Sequence, residues 1–408
     1  MTSGVYNLTV DGTGTPGNRS TPLTLTVSGG GGGNNVTVDF SACALADRPV
    51  WLASQDGTGP WVVVTGVGNV YSFSITSGEG GMAYVLNPAG GTSSVQVHYQ
   101  TQAEFTSGTL NFCASTTGKT VNGTAAGLTA FDQAIISLGG ASVSVNSLAP
   151  NFQLSGVASG THDLVGYRRS LVGGAEAAII RRFQNIANNG SVGTVDFAGT
   201  EAFVPATATI TLAGLVGGET VGQNMFYQVG ASCTAASLYF GGLGGASFTA
   251  SGIPDTMQMA SDFHGLFLSA TLGSASRSII EYFHTFAART VTMGAALPTP
   301  TVTSLGGPYK RLRVTATLPA DYQTSAAFQY SDAGGKSVFL TATFGYLGSS
   351  AADGELPDFS GLPGWDNTWP PASTSTGDWI AIASGRSTTG SVCTEGATVK
   401  SATVTGTF

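Results

Sequence analysis

Four histidines, His98, His162, His264 and His284, are the side chains best suited to move protons or bind metals near neutral pH. The stretch "EYFH", Glu281 to His284, has the Glu-x-x-His spacing that brings both groups to one face of a helix. Apolar neighbours point instead to a strand, where positions three apart face opposite sides. "DFHG", Asp262 to Gly265, supplies an Asp and a His, but nothing in the chain resembles a nucleophile elbow or a zincin helix. Serine is so abundant that a Ser, a His and an Asp somewhere in the chain carry no information about a triad. His98 sits in the alternating "QVHYQ", which predicts a surface or sheet-edge position. The expectation is a chain with no catalytic residue, no metal site and no cofactor.

One stretch is suited to binding. "DFSGLPGWDNTWPPASTSTGDW", Asp358 to Trp379, carries three of the five tryptophans among carboxylates. Indole faces beside carboxylates and amides suit a sugar-binding groove, through stacking and hydrogen bonds. Trp365, Asp366, Trp369, Asp378 and Trp379 are therefore the candidate ligand-binding residues, with glycans as the partner. The competing reading, which the composition favours, folds these tryptophans back to cap a sandwich end. The three aspartates lack an EF-hand spacing. Asp56-Gly57-Thr58-Gly59 reads as a hairpin turn.

Cys43, Cys113, Cys233 and Cys393 are widely spaced, without a C-x-x-C pair. Pairing Cys43 with Cys113 and Cys233 with Cys393 is expected to bracket one sandwich-sized segment and then another. Each such loop would contribute roughly 4–5 kcal/mol in the entropic account. Four buried thiols are the alternative. Disulfides would place the protein outside the cytoplasm, at the extracellular side, the cell surface or in the periplasm.

These residues have to be positioned by strands. Only 9% of the 408 residues are charged, 59 are Gly, and 42% are hydrophobic. Short strands with tight turns need that balance. A net charge of −8 and no basic stripe exclude nucleic acid as a natural partner. No apolar run approaches the ~20 residues of a membrane-spanning helix. No basic stretch followed by an apolar core opens the chain, so a signal peptide is expected to have been removed or to lie upstream.

Strand signals about ten residues apart predict an all-β fold of tandem antiparallel β-sandwich domains. A hairpin and Gly-rich linker occupy 1–33, one sandwich 34–115, a second 116–205, and a large or double sandwich 206–408 with a split near 298. Trp51, Trp61, Tyr71, Phe73 and Tyr84 are expected in the core of the first. "AAIIRRFQNI", around Ile180, reads as a strand in preference to a short helix.

Two resemblances add to this. Over Val121 to Tyr167 the order "VNGTAAGL", "AIISLGG", "FQLSGVASGTHDLVGY" resembles the carboxypeptidase-regulatory, prealbumin-like domains of secreted bacterial proteins, which implies a small non-catalytic sandwich. The opening "GVYNLTVDGTGTPGNRSTPLTLTV", Gly4 to Val27, resembles the last two strands of bacterial Ig-like repeats. A lone hairpin is marginal in water. It is therefore the end of a truncated domain, a partner of its own chain, or a donation to a second copy by β-strand addition. The sequence thus suggests a secreted or surface structural or adhesive protein, with a filament subunit and a carbohydrate-binding module as alternatives.

Overall fold

The computed structural model describes residues 4–12, 19–27, 35–87, 92–107, 110–111, 118–170, 175–230, 234–388 and 392–408. Alternating Thr, Val and Leu form the opening hairpin, β1 (Gly4–Gly12) and β2 (Arg19–Val27), with Gly4 opposite Val27 and Gly12 opposite Arg19. Among the described residues this hairpin pairs with no other strand.

Three seven-stranded sandwiches follow with one topology. The first holds β3 (Asn35–Asp39), β4 (Pro49–Asp56), β5 (Val62–Val63), β6 (Val70–Ser74), β7 (Glu79–Leu86), β8 (Ser94–Thr101), a one-turn helix α1 (Gln102–Phe105) and β9 (Leu110–Asn111). The second holds β10 (Lys119–Ala126), β11 (Asp132–Leu138), β12 (Ala141–Asn146), β13 (Asn151–Val157), β14 (His162–Ser170), β15 (Ala175–Gln184) and β16 (Gly190–Asp196). The third holds β17 (Ala206–Ala213), β18 (Thr220–Val229), β19 (Thr234–Gly244), β20 (Ser247–Gly252), β21 (Phe263–Leu272), β22 (Ala275–Phe283) and β23 (Arg289–Thr292). In each, the first strand lies between the fourth, antiparallel to it, and the seventh, parallel to it. The remaining four strands form the facing layer.

The fourth sandwich is wired differently. Its strands are β24 (Thr301–Leu305), β25 (Arg311–Thr317), β26 (Ser325–Asp332), β27 (Ser337–Thr343), then α2 (Phe344–Leu347), β28 (Ala351–Glu355), β29 (Gly377–Arg386) and β30 (Thr398–Thr407). Here β24-β25-β28 faces β27-β26-β29-β30, and every pairing within these two layers is antiparallel. The segment 206–408 is thus two sandwiches. The connector between them is held by Arg277, whose Nη1 donates to the Gly294 carbonyl at 2.6 Å, and by Tyr322, whose hydroxyl donates to the Ala295 carbonyl. "AAIIRRFQNI" supplies strand β15, interrupted by a register shift near Phe183, whose φ is +54°.

The sandwiches are not separate beads. The four-stranded layers of the third, fourth and first join edge to edge into one twelve-stranded sheet. β22 pairs antiparallel with β30 from Ala275↔Val404 to Glu281↔Thr398. β27 pairs parallel with β8 from Ser337↔Ser94 to Ala342↔Tyr99. Spatial order is therefore third, fourth, first. The second sandwich stays outside this sheet and packs Ile135, Val165, Tyr167 and Ala178 into the core of the third.

Cores alternate across this sheet. Val338 and Leu340 share a face with their partners Val95 and Val97, and all four are buried in one cluster with the fourth sandwich's Phe328 and Trp379. The first sandwich has its own core on the opposite face, where Leu52, Met82 and Tyr84 meet Val36, Val38 and Phe73. β4 and β7 are consequently covered on both faces. That corrects two expectations. Tyr71, Phe73 and Tyr84 do pack with the first core, but Trp51 and Trp61 point to the other face and pack with the fourth sandwich. His98 lies on an interior strand, not at an edge, with its ring stacked 5.6 Å from Tyr84.

Candidate functional site

The loop between β28 and β29 crosses from the fourth sandwich onto the back of the first. Trp51, on β4, meets Trp365 at a ring-centroid distance of 4.9 Å and 69°, and Phe359 at 5.2 Å. Trp365 in turn touches Trp369 edge-on at 5.3 Å, Phe359 at 4.9 Å and Tyr309 at 5.6 Å. The Trp51 indole N–H donates to the Pro363 carbonyl at 3.2 Å, and the Ser93 hydroxyl donates to the Trp369 carbonyl. Gly81 makes room for the Trp61 ring over β7, since a Cβ there would stand 2.8 Å from its Cη2. Edge-to-face contacts of this kind stabilise an aromatic cluster beyond its buried area.

Of the five candidate ligand residues, Trp365, Asp366 and Trp369 lie together in one loop, and Asp378 and Trp379 belong to strand β29. Trp365 and Trp369 are half-buried in this cluster. Trp379 belongs to strand β29, is 7% exposed, stacks near Phe328 and donates its N–H to the Thr407 carbonyl at 3.1 Å. Asp378 is exposed on β29 opposite Ser331. Asp366 closes a tight turn, its carboxylate accepting the Thr368 N–H at 2.8 Å, and that bond holds its pKa below the ordinary value. Asp358 accepts the Ser360 N–H in the same way. The arrangement joins the fourth sandwich to the first. Trp51-Leu52-Ala53, three adjacent residues suited to burial, was the sequence signal for a strand covered on both faces.

A second polar cluster sits where the second and third sandwiches meet. Asp262 is fully buried and accepts from the Tyr227 hydroxyl at 2.7 Å, Arg182 Nη2 at 2.6 Å, the Met259 N–H at 2.8 Å and the Gly230 N–H at 3.1 Å. Arg182 Nη1 also donates to Asp163 at 2.7 Å, and the Asp163 carboxylate receives the Phe183 N–H at the bulge. Burial pushes the Asp262 carboxyl up, but Arg182 and the converging donors outweigh it and hold the pKa low. His264 is fully buried, with Nε2 accepting the Ile253 N–H at 2.9 Å and Nδ1 3.2 Å from the His284 carbonyl. That pattern fixes the neutral Nδ1–H tautomer, and burial pulls its pKa down to about 4. His284 Nδ1 lies 2.8 Å from the Asp262 carbonyl oxygen. The polar side-chain atoms of "DFHG" thus bond to backbone, Tyr227 and Arg182, across the junction of the second and third sandwiches. Glu281 of "EYFH" is on a strand and pairs with Arg289 at 2.9 Å. Asp56 accepts the Thr76 and Ser77 amides at 2.8 Å and pins the 57–59 hairpin turn.

Among the described residues, no three His, Cys, Asp or Glu side chains are grouped to hold a metal ion. No helix among them is long and apolar enough to cross a membrane. Neither described cysteine, Cys43 or Cys393, is a free thiol. Cys113 and Cys233, the partners expected for them, lie outside the described residues. No protein-family model matches the chain, and no curated protein matches it.

A cavity of about 370 Å³ opens between β28 and the twelve-stranded sheet. Apolar side chains of the fourth sandwich line it, Gln55, Thr58 and Tyr99 of the first close its far side, and Arg313 and Asp353 pair at its rim. No sequence pattern announced it, because it arises from Ala at several positions of five different strands.

Proposed function

We propose that this chain is a non-catalytic structural or adhesive protein of the cell exterior, built of β-sandwich modules. The observation that carries this reading is the fusion of three sandwiches through main-chain hydrogen bonds into one sheet. Such a joint resists bending and shear in a way a flexible linker does not. Its buried polar side chains around Asp262 and Arg277 are used to fix neighbouring parts to each other. The second sandwich we take as a carboxypeptidase-regulatory-like module, a reading supported by the stretch Val121 to Tyr167 falling within one seven-stranded unit.

An oxidising location is supported by the surroundings of the cysteines. Leu110, three residues before Cys113, packs against the core that holds Cys43. Cys393 Sγ lies 3.2 Å from Gln228 on β18, and Cys233 falls in sequence between β18 and β19. Immunogold labelling of intact cells that make the protein tests the proposal. Gold on the outer surface is expected, and label confined to the cytoplasm would overturn it.

A second reading is favoured by one observation. The opening hairpin pairs with no other described strand of its own chain. On this reading the protein is a filament subunit, joined to its neighbour by strand addition through residues 5–27.

A further inference from the structure

The cavity beside β28 is bordered by an unpaired strand edge. β28 pairs with β25, from Arg313↔Glu355 to Thr317↔Ala351, and among the described residues with nothing on its other side. Four consecutive residues of β28, 352–355, line the cavity, so it runs along the strand's backbone as well as its inward face. Behind them lie Ala316, Ala326, Phe328 and Leu340, an apolar floor. A free edge above an apolar trough is the geometry that receives an added strand: main-chain bonds supply affinity, and alternate side chains fill the trough.

The chain also carries a strand pair that lacks a sheet. Sequence alternation and the register of β1 with β2 place Tyr6, Leu8, Leu23 and Leu25 on one face of the hairpin. Pro22 on β2 offers no N–H, which suits that strand to the outside and leaves β1 as the strand with a full row of donors. We infer that β1 of one copy adds to the free edge of β28 of a second copy. This rests on the filament reading above and names its acceptor.

The donor is a second copy for a geometric reason. β3, which the linker joins, belongs to the layer packed on one face of the twelve-stranded sheet, and the cavity opens on the other face. Two layers separate them, about 20 Å through the protein. The seven-residue linker, residues 28–34, reaches at most about 25 Å fully extended, only about 5 Å more than that straight line, which leaves too little length for the detour round strand ends that the packed layers require. A contact between unlike surfaces of identical chains propagates as a filament unless its rotation closes it into a ring.

Two acceptor variants of the full chain test the site without cutting into packed regions. A Cβ at Gly354 would meet only Val314 Cγ1, at 4.0 Å, on the inward face of β28, so Gly354→Lys has room in the monomer and places a charge in the trough that the added strand would fill. Ala326→Phe fills the trough. Leu8→Asp spoils the donor. Sedimentation velocity over a concentration series should show wild-type multimers. Each variant should weaken self-association roughly a hundredfold or more while keeping the wild-type melting temperature. Mixing Leu8→Asp, an intact acceptor, with Gly354→Lys, an intact donor, should restore a 1:1 dimer that goes no further. A wild type that stays monomeric overturns both the filament reading and this acceptor. Multimers lost with Leu8→Asp but kept with Gly354→Lys and Ala326→Phe overturn the acceptor alone. Failure of the mixture to dimerise does the same.

Discussion

The indole of Trp51, on the first sandwich, packs edge-on against the indole of Trp365, on the loop of the fourth, at 4.9 Å. Around this contact Phe359, Trp369, Tyr309 and Trp61 gather from both sandwiches. Trp51→Ala removes the one member that is 5% exposed and touches three of the others. Stability should fall by about 3–5 kcal/mol, read from the denaturant midpoint. Trp365→Ala should cost less, because its ring is only half-buried. If the loop instead serves sugars, a glycan array will show wild-type binding that Trp365→Ala and Trp369→Ala abolish. The packing account expects no wild-type signal.

The joint between the second and third sandwiches depends on a buried ion pair. Arg182→Met leaves the Asp262 carboxylate buried beside Tyr227 without its cation. Removing one partner of such a pair typically costs about 3–5 kcal/mol. The expected outcome is a loss of that size, with residues 119–196 exposed first in limited proteolysis. A loss below about 1 kcal/mol would show that the joint is held by Tyr167 and its apolar neighbours alone.

Acid should act in two windows. The folded His264 has its pKa lowered to about 4 by burial, so protonation favours the unfolded chain. Its contribution is complete above the ordinary histidine value near 6.5 and is lost as pH falls toward about 4. His98 is lowered to about 4 by the same cause and acts in the same window. Below that range Asp262, held low mainly by Arg182 against its burial, gives up its share as pH falls through its folded value. Urea denaturation from pH 7 to pH 4 should lose stability on the order of a few kcal/mol. His264→Gln should remove about half of that slope.

Thiol titration of the denatured protein checks the redox state. Without reductant no thiol should react, and after reduction all four cysteines should. Mass mapping of unreduced digests should recover peptides linking Cys43 with Cys113 and Cys233 with Cys393. Four reactive thiols without reductant would contradict the extracellular account.

The strands were legible in the sequence because period-two alternation is local: residues such as those of "SVQVHYQT" and "ATITLAGL" declare their faces without reference to anything distant. The turn at Asp56-Gly57 was legible for the same reason. What the sequence hid was pairing between sandwiches. β8 and β27 meet in parallel, yet no turn or spacing connects Val97 with Leu340. The fate of Trp51 followed from that joint, since its strand looked like part of one sandwich until a second covered its back. The common topology of the first three sandwiches was hidden too, because equivalent positions need only be apolar, and many sequences satisfy that. The role of Asp262 depended on Arg182, which comes from a different sandwich.

Native-state hydrogen exchange tests the central claim, that three sandwiches share one continuous sheet. Amides of β27 and β30 that bond across the joints to β8 and β22 should exchange as slowly as those of interior strands β7 and β29, opening only with global unfolding. Exchange at residues 337–342 and 398–404 as fast as at exposed loop amides would show independent sandwiches and contradict the account.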